Sequence, residues 1–255
     1  MLVALNVYHK LRFGQLHARQ PVIVQVAEKL GRSANSVAMK LSNFASLDPS
    51  LKLRGIKGLT GASTLDRTVW DEFQADLSES VPASEEVIRN IFGAQEDEVL
   101  EVVPQEGLRK GIFRPPSETM RVASVKLRRG QEYFRDVVLN NFGGRCGVTT
   151  LAVRELLVSS HILPWSDYPE QRLNLRNGLC LSRLHDAAFD TGLIAFDDAL
   201  RLMLSPRLQK ELSNRSVEEN FGHFSGLPLS LPDDAIPPEP AFLAKHRATI
   251  FQSAA

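Results

Sequence analysis

Two histidines and an Asn-Gly pair are the residues of this chain best suited to act together in chemistry. His161 and His185 flank Asn177 and Gly178, Asp190 follows the second histidine, and the whole chain has only six histidines. Imidazole, with an ordinary pKa of about 6.5, can accept a proton from water or bind a divalent metal near neutral pH. A carboxylate can add an oxygen ligand. Together these groups suit metal-assisted hydrolysis, in which a base activates water and a cation offsets negative charge.

Local signals around these residues predict strand, loop, strand and helix in that order. Residues 146–162 are expected to be extended up to His161, and residues 177–182 form a second strand that an Asn-Gly turn signal opens. Residues 183–192 form a short helix closed by Gly192. Upstream, a helical stripe is carried by Phe134, Val137, Val138 and Phe142. Cys146 and Cys180 lie on the predicted strands and are expected to pack as small apolar residues.

The N-terminal region has two amphipathic helices joined by a tight turn. Gly31 suits a helix C-terminus and Ser33 suits the next N-cap. The pattern resembles a helix-turn-helix, whose second helix would offer Asn35 and Asn43 to base edges and Lys40 to phosphate. The alternative is a small helical bundle that binds protein. The apolar positions are Val24, Ala27, Leu30, Val37, Leu41 and Phe44.

Charge and composition limit the classes of protein. The 30 basic and 30 acidic residues cancel, but the first sixty residues are basic, as is the segment that precedes His161. Such blocks suit a polyanion partner. With two cysteines a disulfide framework is excluded, and no run of about 18 apolar residues suggests a membrane span. We expect a soluble, cytoplasmic protein with no membrane partner.

We predict an α+β chain with an N-terminal helical, helix-turn-helix-like domain and a C-terminal domain built around two strands and a helix. The expected boundaries are 1–80 for the helical domain, 81–118 for an acidic, proline-containing and mobile connector, 119–210 for the ββα domain, and 211–255 for an extension packed on it. His9, His17, His223 and His246 lack partners at useful spacing, so each is expected to face solvent or to be satisfied structurally.

A family resemblance covers roughly residues 120–205, and the ending FLAKHRATIF resembles that family's usual ending. It is carried by Cys146, Thr149, His161, Ile162, Pro164, Trp165, Arg172, Asn174, Asn177, Gly178, Leu179, Leu181, His185, Asp186, Ala188, Phe189, Asp190, Gly192, Leu193 and Ile194. As a spaced set these residues resemble the HNH endonucleases, in the branch of bacterial restriction-type proteins.

The resemblance implies that the C-terminal domain is a ββα-metal (HNH) nuclease domain, and it implies roles for several residues of the set. His161 would be the general base, His185 a metal ligand, and Asn177 the brace that aims the base. Many HNH enzymes have an acidic residue or a histidine directly before the base, where this chain has Ser160. The missing carboxylate would come from Asp190 or, as the alternative, Asp186. The expected cofactor is a divalent metal, Mg²⁺ or Mn²⁺ first and Zn²⁺ or Ni²⁺ as alternatives.

The resulting hypothesis is a metal-dependent DNA endonuclease of restriction or defence type, with DNA as partner and a homodimer as one option. Arg172 would clamp a phosphate, or form a surface ion pair with Asp167 or Glu170. A competing hypothesis is a non-catalytic, DNA-binding regulatory protein that keeps the HNH fold. In a third, the nuclease remains and the N-terminal domain binds a partner protein.

Overall fold

The computed structural model describes residues 1–56, 59, 61–96, 98–112 and 125–251. The chain has the predicted α+β class and divides into two compact units, residues 1–140 and 141–255. Among the described residues, no helix is both long and apolar enough to cross a bilayer.

The N-terminal unit is mainly helical. One short 3₁₀ turn covers Phe13–Gln15, and an antiparallel hairpin pairs β1 (Glu98–Val103) with β2 (Gly107–Ile112). The α-helices of the described residues in this unit are Leu2–Lys10, Pro21–Lys29, Ala34–Leu47, Pro49–Leu53, Thr64–Ala75, Leu77–Phe92 and Val125–Asn141.

The predicted helix, turn and helix are present between Pro21 and Leu47. Gly31 has a positive φ of 61°, which glycine adopts without strain, and the Ser33 side chain accepts a hydrogen bond from the Ser36 amide. A DNA-binding role for this pair of helices remains a prediction.

The boundary between the units differs from the predicted ones. The helix Val125–Asn141, expected to open the nuclease domain, belongs to the N-terminal unit almost entirely. The Asn140 side chain donates hydrogen bonds to the carbonyls of Lys10 (3.0 Å) and Val102 (2.8 Å). Asp136 adds a salt bridge of 3.1 Å to Lys10. Polar partners far along the chain therefore hold this helix, and no local sequence signal reports them.

Much of the expected connector has regular structure. The helix Leu77–Phe92 and the β1/β2 hairpin occupy most of residues 81–112. The Leu108 amide donates to the Gln25 side chain at 2.7 Å, which joins the hairpin to the helix Pro21–Lys29. Residues 113–118 of the predicted connector lie outside the described part of the chain.

An aromatic cluster surrounds His9 in the N-terminal unit. The His9 ring stacks on Phe73 at 5.4 Å and on Trp70 at 5.7 Å between centroids, and its Nε2 lies 3.1 Å from the Gln74 amide nitrogen. Burial disfavours the charged imidazole and lowers the pKa of His9 to about 4, against a smaller opposing effect of the Asp48 carboxylate. His9 is thus satisfied structurally, one of the two predicted options.

The pKa of His9 predicts acid sensitivity of the N-terminal unit. Between pH 6.5 and 4 the unfolded histidine binds a proton that the folded one does not, so stability is lost as the pH falls through this range. His9→Phe keeps a ring in the stack and removes the titration, and it should flatten this loss by at most about 1.4 kcal/mol per pH unit. Denaturant unfolding at pH 7, 6 and 5 measures both slopes, and equal slopes would contradict the assignment.

The C-terminal unit contains the ββα segment. β3 (Leu157–His161) pairs antiparallel with β4 (Gly178–Ser182), and the helix Arg183–Asp190 follows β4 directly. β5 (Ile194–Phe196) and β6 (Leu202–Leu204) form a second hairpin. The remaining helices of the described residues are Pro206–Lys210, Arg215–Asn220 and Pro240–Thr249, with 3₁₀ turns at Arg154–Leu156, Pro169–Gln171, Leu175–Asn177 and Gly222–Phe224.

The predicted strand, loop, strand and helix are confirmed, although β3 is shorter than the extended segment expected. The register places His161 opposite Gly178, so the base candidate sits beside the Asn-Gly step. The Ser182 hydroxyl caps the following helix by accepting from the His185 amide. Cys146 and Cys180 are buried free thiols, as expected.

Gly192 ends the ββα helix at a point where a side chain does not fit. Its φ is +70°, and a Cβ there would overlap the carbonyl oxygen of Ile250. Gly226 has a similar φ of +74°, but a Cβ there would meet no heavy atom of the described residues within 4 Å. The two glycines thus share a backbone conformation and differ in surroundings.

This pair of glycines gives a matched test of the fold. Gly226→Ala should cost about 1–2 kcal/mol, the ordinary penalty for a left-handed alanine. Gly192→Ala should cost clearly more, because the C-terminal segment must also move. Thermal unfolding of both variants measures the two losses of stability. Equal losses would mean that Ile250 does not pack against Gly192 in solution.

Candidate active site

A cavity of about 430 Å³ lies in the C-terminal unit beside the end of β3. It brings together an imidazole and two carboxylates that sequence analysis placed in one site. Its lining is formed by Val158, Ser159, Ser160, His161, Ile162, Pro164, Trp165, Asp186, Asp190, His246 and Ile250.

His161 is oriented by the loop that follows it. Its Nε2 lies 3.0 Å from the backbone carbonyl of Arg172, and its ring meets Trp165 edge to face at 5.1 Å. Because a carbonyl only accepts, Nε2 carries the proton in the neutral ring and Nδ1 carries the lone pair. Burial lowers the pKa of His161, and the Arg172 charge adds to this against the carbonyl hydrogen bond. The neutral, basic form therefore prevails at neutral pH.

Asn177 closes the loop that carries this carbonyl. Its Oδ1 accepts from the Leu163 amide at 2.8 Å, and its Nδ2 donates to the carbonyls of Leu163 (3.3 Å) and Gln171 (3.2 Å). The side chain is 1% exposed. Its position suits the predicted bracing role, because it ties the end of the loop that orients His161 to Leu163 at the start of that loop and to Gln171 within it.

Asp186 and Asp190 lie one helical turn apart and both face the cavity. Burial, followed by the negative charge of Asp186, raises the pKa of Asp190 to about 6. Burial also raises the pKa of Asp186, against opposing effects of the Ser160 hydroxyl and the Arg183 charge. Two carboxylates that repel each other in a partly buried cavity favour a bound cation.

His185 does not line this cavity. Its Nε2 donates to the Asn220 carbonyl at 2.8 Å, and its Nδ1 lies 2.7 Å from the Ser182 hydroxyl. The side chain is 1% exposed, and its ring lies 5.0 Å from that of Phe221. A metal would have to displace one of these hydrogen bonds. The structure therefore separates His185 from the other predicted site residues.

Arg172 lies at the edge of the site without lining the cavity. Its Nε donates to the Trp165 carbonyl at 2.8 Å, and its guanidinium lies 5.1 Å from the centre of the Trp165 ring. These contacts stiffen the loop around His161.

The predicted DNA-reading residues of the helix Ala34–Leu47 have different surroundings. Asn35 is exposed and Asn43 is half-buried. Lys40 Nζ donates to Asp66 Oδ1 at 2.6 Å, and Asp66 is only 1% exposed. The Lys40 charge therefore compensates a buried carboxylate, a pairing that local sequence does not reveal.

His246 is the cavity residue that sequence reasoning did not select. The helix Pro240–Thr249 brings it to the site, where its ring stacks on Phe189 at 3.7 Å and its Nε2 contacts the Phe189 carbonyl at 3.1 Å. Burial lowers its pKa to about 4. The available signal was the family-like ending FLAKHRATIF, in which this histidine stands.

The β-hairpin, helix and cavity together define a ββα nuclease-type site. Residues 146–197 match the family model described as HNH endonuclease. The C-terminal part of the chain therefore contains an HNH endonuclease domain, which confirms the resemblance seen in the sequence. No curated protein matches the chain.

The family match indicates a nuclease-type function with DNA as substrate. HNH nucleases generally use a divalent metal ion. Within the part of the chain that the structure describes, no three His, Cys, Asp or Glu side chains are grouped closely enough to hold a metal ion by themselves.

The contacts of Asn177 predict the result of removing it. Asn177→Ala would leave the buried Leu163 amide without its acceptor, at a cost of about 1–3 kcal/mol. It would also release the loop that orients His161. We expect a lower unfolding midpoint together with a large loss of DNA cleavage. Asn174→Ala, in the same loop and half-buried, serves as comparison, and full activity in Asn177→Ala would refute the bracing role.

Proposed function

We propose that the chain is a metal-dependent DNA endonuclease of restriction or defence type. The observation that carries the proposal is the cavity that holds both the His161 imidazole and the carboxylates of Asp186 and Asp190. A base and a cation site close together are what phosphodiester hydrolysis requires.

His161 would act as the general base. Its Nδ1 would take a proton from a water molecule as that water attacks phosphorus. The leaving oxygen would depart with the electron pair of the broken P–O bond and take a proton from solvent water. The carbonyl of Arg172 keeps the tautomer that leaves Nδ1 as acceptor. A lowered pKa keeps the ring neutral before the reaction.

Asp186 and Asp190 would hold the divalent ion. Their oxygen donors fit hard cations such as Mg²⁺ and Mn²⁺ better than Zn²⁺ or Ni²⁺. Mg²⁺ usually binds proteins through one or two carboxylates and fills its other positions with water and substrate phosphate. This explains how a site without a third ligand among the described residues can still fit the ion. When bound, the ion would offset negative charge on the phosphate in the transition state.

His185 would position the carboxylates and not bind metal. It lies on the helix that carries both of them, and its two ring nitrogens contact Ser182 at the start of that helix and Asn220. Such contacts fix the orientation of the helix.

DNA contacts are proposed at both units. Arg172, half-buried beside His161, would contact a phosphate. Asn35 and Asn43 would read base edges from the helix Ala34–Leu47. Lys40→Ala is a poor test of phosphate contact, because it would strand the buried Asp66 carboxylate. Because one chain offers one such site, a double-strand cut would favour a homodimer.

The test is cleavage of unmodified and modified plasmid with Mg²⁺, Mn²⁺ or EDTA. His161→Ala should lower the rate by about 10²- to 10⁴-fold with DNA affinity nearly unchanged, because a base acts in the transition state. Asp186→Asn and Asp190→Asn should lower both the rate and metal affinity. His223→Ala, at an exposed position outside the cavity, is the matched control and should cut normally.

Two results would count against the proposal. Cleavage by His161→Ala at the wild-type rate would show that His161 is not the general base. Tight DNA binding by the wild-type protein without cleavage of either plasmid under any metal would favour the non-catalytic, DNA-binding alternative.

A further inference from the structure

His246 lines the cavity and has a buried ring nitrogen without a hydrogen-bond partner among the described residues. The residue lines the same cavity as Asp186 and Asp190, and its side chain is 1% exposed. Its Nδ1 is buried and has no hydrogen-bond partner among the described residues. A buried polar atom without a partner costs free energy, so such an atom in a functional cavity points to a missing donor.

The hydrogen bond of the other ring nitrogen shows that Nδ1 is an acceptor and needs a donor. Nε2 lies 3.1 Å from the Phe189 carbonyl, and a carbonyl can only accept, so Nε2 carries the proton. In the neutral ring Nδ1 then has a lone pair and seeks a hydrogen. Metal-site histidines are commonly fixed in this way, with one N–H donated to a backbone carbonyl.

We propose that His246 Nδ1 accepts a hydrogen bond from a water molecule bound to the divalent cation, an inference that rests on the metal site proposed above. Direct coordination is disfavoured, because no three His, Cys, Asp or Glu side chains among the described residues lie close enough to share an ion. A cavity of about 430 Å³ has room for several water molecules. Cation-bound water is a strong hydrogen-bond donor, which suits a buried imidazole lone pair.

Another role must be separated from this one. The stacking of His246 on Phe189 and its Nε2 hydrogen bond also attach the helix Pro240–Thr249 to the helix Arg183–Asp190. Two substitutions distinguish the roles. His246→Gln can place an amide nitrogen near Nε2 and keep the donor to Phe189, whereas His246→Asn can place an oxygen near Nδ1 and keep the acceptor.

The experiment is calorimetric titration of Mn²⁺ into the full chain without DNA, with thermal unfolding of the metal-free proteins alongside. His246→Gln should weaken Mn²⁺ binding by about 10-fold, a typical effect of losing an outer-sphere partner. Both variants lose the ring stack on Phe189, so both metal-free midpoints should fall, and that of His246→Gln should fall less because its donor to the Phe189 carbonyl remains. His246→Asn should bind Mn²⁺ within a few-fold of the wild type and unfold at a lower temperature. His223→Gln serves as the control.

The outcomes separate this inference from the proposed function. If Asp186→Asn and Asp190→Asn lose Mn²⁺ affinity while His246→Gln binds like the wild type, the role of His246 is overturned and the metal site stands. A loss in His246→Asn as large as in His246→Gln would also overturn it. If neither aspartate variant loses affinity, the proposed metal site falls, and this inference falls with it.

Discussion

The C-terminal unit depends on the hydrogen bonds that Asn177 makes across one loop. Residues 162–177 connect β3 to β4, and the Asn177 side chain joins Leu163 at the start of this loop to Gln171 within it. The loop in turn presents the Arg172 carbonyl that fixes the His161 tautomer. Without this closure the strands could still pair, but His161, the proposed general base, would lose its orientation. A buried amide is well suited here, because it donates and accepts at once where a carboxylate could only accept.

The helix Arg183–Asp190 has two chemically different sides. His185 faces away from the cavity and satisfies both ring nitrogens, whereas Asp186 and Asp190 face it and repel each other. Asp186 is half-buried and Asp190 is exposed, and the Ser182 cap, the His185 contacts and the Phe189 stack on His246 anchor the helix that carries both carboxylates. The contacts on one side of the helix thus offset the charge repulsion on the other.

Local sequence signals were sufficient to predict the order of the two strands and the helix, but not the surroundings of the side chains that these elements carry. The Asn177-Gly178 turn, the Ser182 cap and the Gly192 terminus each act within a few residues, so sequence alone located these elements. The surroundings of three side chains depend on partners that are distant in sequence. His185 contacts Asn220, Lys40 contacts Asp66, and His246 contacts Phe189. The count of basic residues in the first sixty positions includes Lys10, which is 1% exposed and lies 2.6 Å from Glu85, and so adds no charge to the surface. A basic segment in the sequence is therefore only in part a basic surface.

The positions of Asp186 and Asp190 explain how a serine can precede His161, the proposed general base. Many HNH enzymes have a metal-binding residue at that position, and Ser160 offers only a hydroxyl. In this chain Ser160 is 3% exposed and lines the same cavity as Asp186, and its buried hydroxyl oxygen has no hydrogen-bond partner among the described residues. A third carboxylate at position 160 would stand in a partly buried cavity with two others, and its desolvation and repulsion would be costly without metal. A serine at this position adds no further charge to the cavity. The carboxylates at positions 186 and 190 can therefore supply the oxygen donors that position 160 does not.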